Sequence, residues 1–394
     1  MTTTLRPAPG APERRVRPPV WRHLDVVLVV AVVAIAVLGA VMVYSSTRVA
    51  LGTAGISPTY YLRKQLVFVA VGIVVMLVTA AVDYRRLRDW APYVYLLSLL
   101  SLVAVFAVGS RVKGAQAWLQ LGPYQFEPSE VAKVALILAV SAYAARYKGR
   151  LPGRALLVIV VLAVVPFALI FKQPDLGTAS VLSAVLIVVV TIAGARLRHL
   201  ALLAAIAVAG VAGVVQLGVL HHYQVARLSS FLSTPDKVSA RILAERNNPV
   251  AANEYNVVES KNAISAGGLT GTGLYKGTST NLSQVPEQHT DFIFSAAGEQ
   301  LGLVGCVVLL GLFLLVMWRT WLACVVSRDL FGTLVSAGVL AMLLFQVFEN
   351  IGMTMGIMPV AGIPLPWMSY GGSAIVVEFV AVGLVLSVRM RRFS

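Results

Sequence analysis

The chain has 394 residues, of which 58% are hydrophobic and only 12% charged, against roughly a quarter charged in an average soluble protein. Together with a mean hydropathy of +0.82, this excludes a soluble globular domain and sets the class as an all-α polytopic membrane protein. A net charge of +15 would point to nucleic acid only if the basic residues gathered on one soluble face, but here they are scattered between apolar runs and no nucleic-acid partner is expected.

Residues 1–23, which open "MTTTLRPAPGAPERRVRPP", are rich in Pro and Arg and read as a disordered cytoplasmic tail. The apolar run that follows is too long for a signal peptide and lacks a small-residue cleavage site. Ten runs long enough to cross a bilayer then succeed one another, at 24–46, 66–83, 93–109, 129–145, 155–171, 176–194, 199–220, 290–318, 330–358 and 371–388. They make a membrane domain over 24–388, closed by a short C-terminal tail at 389–394. With an even number of spans both termini share one side. If that side is the cytoplasm, inside segments carry nineteen lysines and arginines, from Arg6 to Arg392, against six in the short outside loops. The positive-inside rule then places both termini in the cytoplasm. Cys306 and Cys324 offer neither a disulfide framework nor metal-ligand spacing. No internal repeat of the kind that marks inverted-repeat transporters is visible.

The connection between the seventh and eighth spans, 221–289, stands apart as a large extracytoplasmic loop. Loops of that length are functional or disordered. This one mixes apolar anchors with polar groups and is expected to be structured.

Ionisable groups near or inside spans are costly and raise a functional hypothesis. On an outside loop, "GAQAWLQLGPYQ" places Trp118 and Tyr124 where an aromatic belt would sit, although aromatic faces also stack on sugars. The fourth span opens "FEPSEVAKVALIL": Pro128 suits a first helical turn, and Glu127 and Glu130 lie near its positive end. Glu130 and Lys133 share a face, so they are either an interfacial ion pair with Lys133 snorkelling or a site at which Lys133 meets an anion. In "KQPDLGTAS", Asp175 reads as a helix cap or a catalyst, and Gly177 as a point of close helix packing. At the start of the eighth span, "EQHTDFIFSAAGEQ" crowds Glu287, His289 and Asp291 together. Capping by Thr290 or Asp291 accounts for one such residue, not three. Glu299 lies about 12 Å further along the helix, without an evident role. Finally "NIGMTMGIMPVAGIPLPWMSYGGSA" carries three prolines and five glycines between Asn350 and Ser373, a re-entrant-looking turn tolerated at membrane depth only if buried in protein or lining a cavity. A pocket is expected there, with Glu349 and Glu378 facing it or pairing with other helices.

The segments "QFEPSEVAK", "KQPDLGTA", "YQVARLSSFLSTPD", "SKNAISAGGLTGTGLYKGT", "VPEQHTDFIFSAAGEQLGLVG" and "NIGMTMGIMPVAGIPLPWMSYGGS" resemble, in order, the signature segments of the SEDS family (shape, elongation, division and sporulation). Within it they look more like the RodA branch than the FtsW branch. The resemblance implies a ten-helix peptidoglycan glycosyltransferase that polymerises lipid II at the outer face of the bacterial cytoplasmic membrane during elongation. It also implies a class B penicillin-binding protein and other elongation-complex membrane proteins as partners. It makes Asp291 the catalytic acid and sets Lys133, Glu130, Asp175 and Trp118 around a central cavity. The chemistry asks for a general base, for which Asp291 at the membrane border is placed, and for cations at a departing pyrophosphate, for which Lys133, Arg227 and Lys261 are candidates. His289 is expected to position the loop or tune the acid. No cofactor is assigned, and a divalent cation, Mg or Mn, is left open with no ligands named. From other classes, a lipid-linked precursor flippase, an O-antigen-type ligase and a non-catalytic scaffold remain as alternatives, as does a division-type paralogue with the same chemistry.

Overall fold

The computed structural model describes residues 20–112, 115–122, 124–173, 175–205 and 249–392. The helices are α1 (Val26–Thr53), α2 (Tyr60–Ala81), α3 (Tyr84–Val108), α4 (Pro128–Ala144), α5 (Gly153–Lys172), α6 (Leu176–Ile192), α7 (Pro249–Gly267), α8 (Ile293–Val325), α9 (Leu330–Thr354) and α10 (Gly372–Met390), besides single turns. Among the described residues eight helices are long and apolar enough to cross a membrane, and α6 is apolar but shorter. Nine of the ten expected spans are thus present. Of the seventh, only the part up to 205 is described, and it is helical from 197. The remainder, with Arg227, lies outside the described residues, as do residues 1–19. The end of the expected tail is ordered: Val20–His23 form a 3-10 turn.

Four aspartates set helix starts. The carboxylates of Asp25, Asp83, Asp175 and Asp329 accept the backbone N–H groups of Leu28, Arg85, Thr178 and Gly332 at the heads of α1, α3, α6 and α9. Each such cap contributes about 1 kcal/mol.

Helices α4, α9 and α10 are buried along most of their length and form the centre. α10 packs on α2, α4 on α3, and α9 on both α6 and α8. α4 can lie there because its body, "VALILAV", is apolar all round. Helices α2, α3, α5 and α8 keep one face open, with Leu97, Leu157 and Leu314 standing out from it.

At the end holding the N-terminus of α1, the buried Asp25 carboxylate accepts from Arg319 Nε of α8 (2.9 Å) and pairs with Arg389 Nη1 of α10 (2.5 Å). Arg319, which the sequence places in a loop, therefore belongs to α8, which runs on to Val325. Removing one partner of such a buried pair costs about 3–5 kcal/mol.

Two elements were not expected from the sequence. Between α3 and α4 a three-stranded antiparallel sheet, β1 (Ser110–Val112), β2 (Ala115–Leu121) and β3 (Tyr124–Phe126), is ordered β1-β2-β3. Gln116 Nε2 on β2 donates to the carbonyls of Val105 (2.9 Å) and Gly109 (3.0 Å), satisfying the open end of α3. The other element is α7, inside the long loop. Its Ser260 hydroxyl lies 2.5 Å from that of Ser295 in α8 and 2.7 Å from the carbonyl of Thr354 in α9, so this half of the loop is structured, as expected.

Candidate active site

The candidate residues among those described gather at the opposite end of the bundle, where α4, α6, α8 and α10 begin and α9 ends. Pro128 opens α4, and Glu127 before it is extended, its carboxyl turned back to other partners. Glu127 Oε2 accepts from the Trp118 indole (3.2 Å) and Oε1 from the Ser129 hydroxyl (2.9 Å), while its backbone N–H donates to Ser373 Oγ (3.2 Å). The hairpin tryptophan is thus tied to the head of α4. Burial, then the neighbouring Glu130 and Asp175 carboxylates, push the Glu127 carboxyl up to about 8.

One turn further on, Lys133 Nζ contacts both oxygens of Glu130, at 2.9 and 2.8 Å. The pair forms as the i, i+3 spacing predicts, but not at an interface: Lys133 is 1% exposed and Glu130 3%. The snorkelling reading is therefore wrong, because the residues around the head of α4 close over the ammonium before it can reach water. Glu378 and Glu127 also act electrostatically on Lys133. Asp175 caps α6 through Oδ1 (2.9 Å to Thr178 N), leaving a buried Oδ2 with no hydrogen-bond partner among the described residues. Gly177 has the packing role expected of it, since a Cβ there would lie 2.6 Å from Ile363 Cγ1.

Asp291 lies before α8, not in it. The helix starts at Ile293 with Phe292 as its cap residue and no side-chain capping bond, which contradicts the capping reading of Thr290 and Asp291. Instead the chain makes a tight turn in which the Glu287 carbonyl accepts from Thr290 N (3.1 Å) and Phe292 N (3.2 Å), with Glu287 itself at φ +54°. The next three carbonyls are each held from outside. Tyr370 N donates to His289 O (2.8 Å), Ser369 Oγ to Thr290 O (2.5 Å) and Asn350 Nδ2 to Asp291 O (2.8 Å). Asn350 Nδ2 also donates to Ile363 O (2.7 Å), tying α9 to the Pro-rich turn. The His289 ring packs between Tyr61 (4.9 Å) and Tyr370 (5.9 Å).

The turn at 355–371 links both clusters. Ser369 and Tyr370 grip the Asp291 segment, while Trp367 N donates to Glu378 Oε2 (2.8 Å) beside Lys133. Leu365, Trp367 and Met368 are buried, so of the two arrangements open to irregular backbone at membrane depth the turn takes burial in protein. The cavities described elsewhere in the molecule do not touch it.

Glu299, for which the sequence offered no role, has one. It is fully buried, and its Oε1 accepts from Ser279 N (2.7 Å) and its Oε2 from Thr280 N (2.9 Å). The next residues break the helix: Gly302 has φ +66° and ψ −167°. The glycine-rich segment 268–273 fills the break, with Thr272 N and Gly273 N donating to the carbonyls of Glu299 (2.9 Å) and Gln300 (3.1 Å) and with Leu303 N and Val304 N donating to those of Gly268 (2.9 Å) and Leu269 (3.1 Å). Lys261, on α7, is exposed, its ammonium lying against Gly356 just past the end of α9, where a helix dipole favours a cation.

A family model described as cell cycle protein, FtsW/RodA/SpoVE, matches residues 26–393. The chain belongs to that family. It is 35% identical to the peptidoglycan glycosyltransferase MrdB of Escherichia coli K12, over 94% of each chain. In structure it resembles a chain of a peptidoglycan synthase complex described for the coordination of polymerization and crosslinking, with TM-score 0.74, 32% identity, and 94% of this chain and 99% of that one covered. It also resembles the rod shape determining protein RodA of Thermus thermophilus, with TM-score 0.67, 31% identity, and 95% and 100% covered. Family membership and the run of apolar helices make this a multi-pass membrane protein.

Proposed function

We propose that the chain is a peptidoglycan glycosyltransferase that polymerises lipid II at the outer face of the cytoplasmic membrane during elongation, with Asp291 as its general base. The observation that carries the assignment is the clamping of three consecutive carbonyls, 289–291, by Asn350 of α9 and by the turn that also braces Glu378 beside Lys133. A catalytic carboxylate must be held in place, and this arrangement holds its backbone at three points.

In each elongation step the 4-hydroxyl of an acceptor GlcNAc attacks C1 of a MurNAc. The new C–O bond forms as the bond to undecaprenyl pyrophosphate breaks, Asp291 takes the hydroxyl proton, and the pyrophosphate leaves with the electron pair. General-base help of this kind contributes typically 10²- to 10⁴-fold. The leaving group needs cations. Lys261 stands exposed at the same end of the bundle, and Arg227 is the second candidate. Lys133, enclosed and paired with Glu130, reaches the donor only when the residues above it part. Trp118, anchored through Glu127, offers an aromatic face for a sugar ring, and Asp175 and His289 complete the proposed binding set. Among the described residues no three His, Cys, Asp or Glu side chains gather as a metal site.

Both termini are assigned to the cytoplasm by the distribution of Lys and Arg. A class B penicillin-binding protein is the proposed partner, in keeping with the synthase complex to which the fold is similar. A flippase is disfavoured because the clamped acids sit at one end of the spans, whereas alternating access uses a midplane site.

Polymerisation of purified lipid II by the protein with its transpeptidase partner is the test. Asp291→Asn is expected to abolish product while leaving fold and complex intact, and Lys133→Ala to impair use of the donor. Full polymerisation by Asp291→Asn would overturn the assignment of the base.

A further inference from the structure

At the end of the bundle away from Asp291, α3, α4, α5 and the head of α9 surround a cavity of about 1280 Å³. Its lining divides by chemistry. Arg85, Arg88, Arg146 and Lys148 stand at the helix ends, while Tyr95, Leu96, Val158 and Leu162 form a wall one or two turns deeper along α3 and α5. Two acids also line it. Asp329 is taken up by Arg85 (3.5 Å), the Tyr84 hydroxyl (2.8 Å) and the cap of α9 (2.8 Å); Asp89 is exposed. Arg88, Arg146 and Lys148 are exposed and form no ion pair among the described residues; Arg146 lies over the Tyr143 ring at 5.5 Å.

The apolar wall does not end inside the cavity. Leu96 is 55% exposed and Val158 39%, and both continue onto the open faces of α3 and α5 that carry Leu97, Leu100 and Leu157. In a multi-pass protein these faces lie against acyl chains. A ligand here would have a phosphate among three cations and a hydrocarbon tail leaving sideways into the bilayer, and an inorganic anion would leave the wall unused.

We infer that this cavity is a binding site for an anionic phospholipid of the surrounding leaflet, its phosphate held by Arg88, Arg146 and Lys148 and one acyl chain lying against Tyr95, Leu96 and Val158. The inference does not depend on the glycosyltransferase assignment, since none of these residues belongs to that site. Basic pockets between membrane helices are of the kind that take anionic headgroups. A lipid seated there would join the heads of α3, α5 and α9 to the end of α4, where direct protein contact is interrupted by the cavity.

The test titrates the full-length protein in detergent with phosphatidylglycerol, phosphatidylcholine or inorganic phosphate, reading bound lipid by native mass spectrometry and the unfolding temperature. Phosphatidylglycerol is expected to bind and to raise the unfolding temperature, and the other two to do neither. Arg88→Gln, Arg146→Gln and Lys148→Gln should each weaken binding roughly fivefold and the triple variant roughly a hundredfold. Should the triple variant not match the lipid-free unfolding temperature of the parent, the single variants carry the test. Val158→Trp, which fills the apolar end and keeps every cation, should also weaken phosphatidylglycerol. Equal binding of phosphatidylcholine, an equal shift with inorganic phosphate, or unchanged affinity in the three single variants would each overturn the inference.

Discussion

Replacing Glu299 by alanine should release the loop that leads to Asp291 while leaving the membrane bundle folded. Glu299 is wholly buried and accepts from Ser279 N, Thr280 N and the Thr280 hydroxyl. Alanine strands two buried backbone donors, each costing about 1–3 kcal/mol, so the local penalty is about 2–6 kcal/mol. The effect propagates along one chain of contacts. Gln288 Nε2 donates to Thr280 O (2.8 Å) and to Ser46 O (2.7 Å), and Gln288 lies three residues before Asp291. Hydrogen exchange of the protein in nanodiscs is the assay. At tenfold per 1.4 kcal/mol, amides in 270–284 should exchange roughly 30- to 10⁴-fold faster, with those of α4 and α10 unchanged. Polymerisation should fall although Asp291 is intact. Unchanged exchange at 270–284 would show that Glu299 does not hold the loop, and the reasoning would fail.

Asn350→Leu removes the donor to Asp291 O and Ile363 O while keeping the volume of the side chain. Lipid II turnover is expected to drop about a hundredfold, the scale of a roughly 1 Å misplacement of a catalytic group, with protein yield nearly unchanged; wild-type rates in this variant would deny the clamp a positioning role. Glu127 gives a pH dependence. Its folded pKa of about 8 lies above the ordinary 4.5, so the folded protein keeps a proton there that the unfolded chain has lost. The stability contributed at Glu127 is thus fully present below about 4.5, declines as pH rises towards 8 and then levels off. Glu127→Gln should lose less melting temperature than the parent between pH 6 and pH 9, and identical losses would contradict the assignment.

The nine apolar helices are legible in the sequence because a bilayer asks only for a long run of apolar residues, but α1 and α8 run about seven residues past the expected ends, and α2 and α3 start about six and nine residues ahead of the expected starts. The sequence misleads at the start of α8 because "EQHTD" ahead of an apolar run has the composition of a capping segment. What prevents capping is a set of donors, Asn350, Ser369 and Tyr370, that lie 59 to 81 residues away in the chain. The sheet left a faint trace in "AQAWLQL", whose polar residues are too few to establish a period of two. The polar helix α7 has no apolar stripe to announce it: it is held by small residues such as Ser260 and Ala263, which fit between α8 and α9. Asp175 was open between cap and catalyst in the sequence, and the structure makes it a cap with one oxygen to spare. Glu299 could not be assigned from helical spacing, since its partners come from a loop about twenty residues upstream. In the sequence Glu127 shows only its place near the dipole, because its hold on Trp118 depends on the hairpin.

The break at Gly302 bears on how the chain enters the membrane. In an unbroken helix, Leu303 N and Val304 N would bond the carbonyls of Glu299 and Gln300, the same four groups that segment 268–273 now satisfies. α8 can therefore be inserted as a straight rod with every backbone group paired, and exchange those two bonds for four when the loop folds onto it. Assembly of the membrane part and maturation of the catalytic end are then separable events. A variant in which Gly302 favours the straight form should insert, span and accumulate normally, yet wait indefinitely with Asp291 unplaced.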